Sequence, residues 1–237
     1  TEKYVAWCWK ESATAGFDIV AMEGTGSART QAHSLSAVPA FITVKNLDQD
    51  TSGSGSAHWF IYHKGNTSAP ETDYLELDTS DATADDATIW NDTAPTSSVF
   101  SVGTSDGTNK SGDDFIAYLF AEKQGFSKFG VYTGNGNADG QFVYLGFRPA
   151  FLLIMNADAA ASDKYIFDNK RAGYNVQNNR INANTGSTQG TDVRLDLLSN
   201  GFKSRNTGNP NTATLWIYAA FAEAPFVNSN GVPCNAR

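Results

Sequence analysis

The sequence predicts an all-β protein made of two tandem, related antiparallel β-sandwich or jelly-roll-like units. Three observations carry that expectation. The apolar runs are short and rich in β-branched and aromatic residues, as strands are. Stretches of Gly, Ser, Asn and Asp separate them, with no helical pattern long enough for a parallel α/β fold. Finally, the chain resembles itself at a fixed offset, the mark of an internal duplication.

Taken in order, residues 1–10 hold the run Tyr4-Val5-Ala6-Trp7-Cys8-Trp9, which predicts a buried strand with Cys8 inside. Unit one spans 11–122. Its expected strands are Phe17–Met22, Phe41–Val44, Trp59–Tyr62, Tyr74–Leu77, Val99–Val102 and the closing run Phe115–Glu122. Turn-forming stretches at Asp50–Ser56 and Gly103–Gly107 divide them, and Ser80–Ala87 is where a helical turn is expected.

Unit two spans 123–226. Val38–Val44 aligns with Arg148–Ile154 at an offset of 110, and Gly24-Thr25-Gly26 aligns with Gly134-Asn135-Gly136 at the same offset. Gly16-Phe17 matches Gly125-Phe126 after one indel, and Trp59–Tyr62 matches Tyr165–Asp168 more loosely. The closing run Phe115–Glu122 returns as Trp216–Glu223, and Tyr4–Lys10 resembles both. That N-terminal run therefore looks like the end of a preceding unit, or a strand borrowed by the first. Glu122-Lys123-Gln124 is too short for a free linker, so the units are expected to abut. Residues 227–237 form a polar tail with no periodicity.

Composition excludes several function classes. The longest apolar run, Pro149–Met155, is far short of the ~20 residues that span a bilayer, so a soluble chain without a membrane partner is expected. Nor does the start carry a signal-peptide pattern. A net charge of -8, from 17 Lys and Arg against 25 Asp and Glu, argues against a nucleic-acid partner. Cys8 and Cys234 lack metal-ligand spacing and suit free thiols in a reducing cytoplasm, with a disulfide stitching the termini as the alternative.

Catalytic and metal patterns are weak. His58 and His63 are five apart, on opposite faces of a strand, so neither they nor His33 are expected to act as ligands or bases. Glu76 and Asp78 share a face near Glu71 and Asp73, a pairing that glycosidases use but also the look of a solvated strand. The Asp-rich turns Asp78–Asp81 and Asp106–Asn109 offer oxygen donors for calcium, without the spacing of a calcium loop. The Gly24–Gly26 and Gly134–Gly136 motifs are expected to be hairpin or bulge glycines rather than phosphate loops. No catalytic residue, metal ligand or cofactor is therefore assigned. The candidate glycan-binding residues are Trp90, Asn91 and Asp92 in one loop and Tyr174 and Asn175 in another, because aromatic rings stack on pyranose faces while amides bond hydroxyls.

The repeat residues carry a family resemblance. In the first unit these are His33–Asn46, Trp59–His63, Ala94–Phe100 and Phe115–Glu122; in the second they are Gly125–Gly136, Gly146–Phe151, Leu198–Lys203 and Tyr218–Phe226. Together they resemble a domain family of tailed-bacteriophage virion proteins that occurs in tandem at the C-terminal ends of tail-fibre-like chains. Ser34 and Ser36 depart from that pattern where glycines are usual, and Met155 stands where a lysine is common. The resemblance implies a non-enzymatic virion structural protein on the tail or capsid exterior, assembled in the host cytoplasm beside other virion proteins. A homo-oligomer is expected, with a trimer favoured. The alternatives are a lectin-like receptor-binding module for host surface glycan and a polysaccharide depolymerase.

Overall fold

A computed structural model of the chain describes residues 4–49, 57–172 and 175–223. The first half runs β1 (Phe17–Glu23), β2 (Arg29–Ala32), β3 (Phe41–Asn46), β4 (Trp59–His63), β5 (Asp73–Glu76), β6 (Ala84–Asp85), α1 (Ala87–Trp90), β7 (Val99–Val102), α2 (Asp106–Asn109) and β8 (Asp114–Phe120). The second half runs β9 (Ser127–Thr133), β10 (Phe142–Tyr144), β11 (Pro149–Asn156), β12 (Tyr165–Asp168), β13 (Ile181–Asn182), β14 (Leu195–Leu198), β15 (Gly201–Ser204) and β16 (Leu215–Ala222). The protein is all-β, and every named strand pairing is antiparallel.

Among the described residues the strands form two large sheets and two small ones. The large sheet of the first half has the order β1-β8-β3-β4-β5-β6, and that of the second has β13-β12-β11-β16-β9. Written from the first strand of each half, the shared order is first, closing, third, fourth. The small sheets are β2-β7 and β10-β15-β14. Register agrees as well: Phe41 opposes Phe120 on one side and His63 on the other, while Phe151 opposes Phe221 and Asp168. The fourth strands correspond one residue away from the sequence match, since Tyr62 opposes Ile42 as Phe167 opposes Leu152.

Alternation makes these strands two-faced. In β8, Phe115, Ala117 and Leu119 point into a core shared with Phe100 and Val102 of β7. In β16, Trp216, Tyr218 and Ala220 point into a second core with Leu195, Leu197 and Phe202. The opposite faces of the two large sheets pack on each other. Phe41, Ile61 and Leu75 of the first half meet Phe129, Leu153 and Phe221 of the second in a third core. Each large side chain buried there contributes on the order of 2 kcal/mol. Two sandwiches thus stack as four sheet layers.

The glycine motifs have a steric cause. A Cβ on Gly24 would sit 1.9 Å from Lys110 O, and one on Gly134 would sit 2.1 Å from Thr212 O. Gly26 and Gly136 take positive φ, +69° and +63°, where glycine is favoured. Buried Asn109 and Asn211 fasten these turns, accepting the backbone N–H of Thr25 at 3.0 Å and of Asn135 at 3.2 Å.

Two expectations need correction. The helical turn forms at Ala87–Trp90, because the Asp86 carboxylate accepts the Thr88 N–H at 2.8 Å while Ile89 and Trp90 turn into the core. Cys8 is exposed, since alternation turns Val5, Trp7 and Trp9 inward and Cys8 outward, and Tyr4–Lys10 is extended without joining a sheet. Asp50–Ser56, Tyr174, Cys234 and the tail 227–237 lie outside the described residues.

Candidate functional site

Of the sequence-predicted sugar rings, Trp90 lies among the described residues and offers no platform. Trp90 is 2% exposed and packs edge-on to Tyr62 at 6.3 Å, so neither ring face is open to a pyranose. Helix α1 turns it inward. Asn91 and Asp92 remain exposed at the end of that turn, both with positive φ, 55° and 43°. Asn175 is exposed but occupied. Its Nδ2 donates to Leu197 O at 2.9 Å and its Oδ1 accepts the Leu197 N–H at 3.0 Å, tying its loop to β14.

A polar cluster lies at one end of the seam between the large sheets. Lys164 is fully buried and its Nζ donates to Asp81 O at 2.8 Å, carrying the second half into a loop of the first. Burial pulls the Lys164 ammonium down to about 8, opposed by the nearby Asp81 and Glu76. Burial also lifts the Glu76 carboxyl above its ordinary value, against the pull of His58. Shifts like these mark catalytic groups as well as structural ones. Here the partners are structural. Asp78 Oδ1 accepts the Trp59 N–H at 3.0 Å, and Oδ2 lies 3.3 Å from His58 Nδ1. Among the described residues no group of three or more His, Cys, Asp and Glu is placed to hold a metal ion. The Asp106–Asn109 turn is helix α2, whose Asn109 Nδ2 donates to Gly103 O and Ser27 O, each at 2.7 Å.

His63 spans the same seam from the end of β4. It is fully buried, its Nε2 lies 3.1 Å from Tyr218 O, and its Nδ1 accepts the Gly65 N–H at 3.1 Å. That pair of contacts sets the tautomer, with the proton on Nε2. Desolvation lowers the imidazole to about 4, outweighing the backbone hydrogen bond.

The third feature is a groove of about 770 Å³ beneath the N-terminal run, at the junction of the two halves. Its floor is aromatic. Trp9 lies 5.2 Å from both Phe151 and Phe221, edge-on to each, and Phe126 lies 6.1 Å from Phe221. Its rim is polar, with Asn169 Nδ2 donating to Glu223 Oε2 at 3.3 Å and Lys170 paired with the same carboxylate. The junction closes one side as a tight turn, in which Ser127 N–H donates to Lys123 O at 2.8 Å. The indole N–H of Trp7 is buried there without a partner among the described residues. Of the three features this one is open, apolar and bordered by backbone that has no partner among the described residues, so it is the candidate site.

Comparison with known families places the chain. Residues 1–225 match the family model described as a domain of unknown function, DUF7483. The chain belongs to that family. No curated protein and no solved structure matches it. The DUF7483 match covers both sandwiches and the N-terminal run, so the groove and everything that builds it lie inside the family domain. Sequence reasoning passed over this groove. Its signal was present in the alternation of Val5, Trp7 and Trp9 with Ala6, Cys8 and Lys10, and in the recurrence of Phe41 as Phe151 and of Phe120 as Phe221.

Proposed function

We propose that the chain is a non-enzymatic structural protein of a bacteriophage virion, displayed on the tail or capsid exterior as part of a fibre, spike or surface appendage. The observation that supports this reading best is the way the two sandwiches join. They share a third apolar core, and the connection between them is the tight turn at Lys123–Ser127 rather than a linker. A block fused in this way transmits orientation from one end to the other, which is what an appendage built from serial modules needs. The resemblance of the repeat residues to virion proteins points the same way. The net charge of -8 suits a surface that stays soluble at high copy number. Neighbouring virion proteins and further copies of this chain are the partners this reading implies. The glycan-binding alternative loses its main support with the ring of Trp90 buried.

Gold-labelled antibody against the chain, applied to intact purified particles, tests the proposal. Label on the tail or capsid exterior is expected. Particles that carry no label, with the chain present only in the host lysate, would overturn it. Host polysaccharide that gains reducing ends on incubation with the purified chain would replace it with the depolymerase reading.

A further inference from the structure

The run Val5–Lys10 is an extended stretch that no sheet claims. Val5, Trp7 and Trp9 are half-buried while Ala6, Cys8 and Lys10 are exposed, the alternation of a strand with one face seated. The rings of Trp7 and Trp9 lie 5.3 and 5.2 Å from that of Phe151. Among the described residues, no backbone N–H or C=O of Val5–Lys10 has a hydrogen-bond partner. Open edges of this kind are templates for another strand.

The molecule shows twice what such a strand pairs with. Ser12 bridges Phe17 as Lys123 bridges Ser127, and Phe17 opposes Phe120 as Ser127 opposes Phe221. The stretch ahead of Ser12 therefore holds the chain position of β8 and β16. Trp9 corresponds to Phe120 and Phe221, and the three rings meet, with centroids 5.2–6.0 Å apart. β8 pairs with β1 and β3, and β16 pairs with β9 and β11. A closing strand of this fold is thus complementary to a first strand of the same fold.

Two first strands lie at sheet edges, β1 and β9. The edge of β1 is plugged, because Asp18 Oδ1 accepts the Ile19 N–H at 3.0 Å and the Arg29 guanidinium holds Glu23 O. In β9 the bond from Ala222 N–H to Phe126 O sets the ladder alternation, which turns the backbone of Phe129, Val131 and Thr133 away from β16; Phe129 N–H is taken by Glu122 Oε2 at 3.5 Å, so the edge is open at Val131 and Thr133. Val131 is 45% exposed. We propose that Val5–Lys10 adds as a strand to the outer edge of β9 in a second copy of this chain, so that the protein is a homo-oligomer held by exchanged arms. Arms exchanged between two copies make a two-fold dimer, and an arm passed to the next copy makes a heterologous contact that closes as a ring only if the rotation between copies closes. This inference rests on the pairing geometry and not on the virion reading.

Light scattering on the eluting full chain tests it, together with hydrogen exchange. At micromolar concentration the wild type is expected to be an oligomer. The double variant Val5→Pro/Cys8→Pro removes one N–H from each edge of the arm and no internal hydrogen bond. It is expected to elute as a folded monomer. In the wild type, amides of Val5–Lys10 and of Val131–Thr133 are expected to exchange on the order of tenfold more slowly at high than at low protein concentration, and together. A monomeric wild type at micromolar concentration, a folded double variant of unchanged mass, or exchange at both segments that ignores concentration would each overturn the proposal. Should the double variant fail to fold, the exchange of the wild type decides alone.

Discussion

The two sandwiches share strand order and register, and their differences fall where their surroundings differ. Inside each unit, matching positions keep the same residue. Asn46 and Asn156 each accept two N–H groups from the turn that follows, and Asn109 and Asn211 each fasten the glycine turn. On the faces that meet, the aromatic pairs Phe41 and Phe151, and Phe120 and Phe221, are kept, while the flanking positions on the fourth strands diverge. His63 sends Nε2 across to Tyr218 O, while its counterpart Asp168 turns back to accept the N–H of Lys170 and Arg171, each at 2.9 Å. Trp59 stacks on Tyr118 at 6.1 Å, whereas Lys164, which meets its neighbouring strand in the same way, reaches across to Asp81. Turn geometry constrains a residue identically in both units, but a seam has two different sides.

The largest effect that sharpens this contrast belongs to the third core. Phe221 is 5% exposed and touches Trp9, Phe120, Phe126, Phe129 and Phe151. Phe221→Ala is expected to cost about 4 kcal/mol in urea unfolding. Phe120→Ala, at the matching but less buried position, is expected to cost less. Equal costs would mean that the seam does not distinguish the two closing strands.

Acid supplies the second test. The folded His63 pKa of about 4 lies below the ordinary 6.5, so its contribution is complete above pH 6.5 and lost as pH falls towards 4. The loss expected over that window is roughly 3 kcal/mol. His63→Gln should flatten the stability profile there while keeping a donor to Tyr218 O. An unchanged slope in that variant would assign the acid sensitivity elsewhere.

Smaller effects probe the shared positions. Asn109→Ala and Asn211→Ala each leave the backbone groups of a glycine turn without their partner, in part-buried contacts, and are expected to cost about 1 kcal/mol, alike in both units. Lys64→Ala breaks an exposed pair with Glu122 inside the first unit and should change stability by no more than ~0.5 kcal/mol.

Much of this architecture is legible in the sequence because strand faces are local. Val99–Val102 is a strand exactly where its apolar run lies, and the 110-residue offset aligns Phe41 with Phe151, which occupy matching positions on facing sheets. What escaped is non-local. Nothing near Trp90 signals that a one-turn helix buries it, because its neighbours Asn91 and Asp92 are polar and do reach solvent. The partner of His63 lies 155 residues away. Strand β2 carries Arg29-Thr30-Gln31-Ala32, too polar to read as a strand, and forms because it pairs with β7.

The claim that the two sandwiches are one block through their third core is tested most directly by hydrogen exchange of the full chain across a urea series. Amides of Ala117 and Leu119 report the first core, and those of Ile154 and Ala220 report the second. A fused block loses protection at both sets at the same urea concentration, in one transition. Two separated midpoints, with one core still protected after the other has opened, would show that the third core does not couple the units.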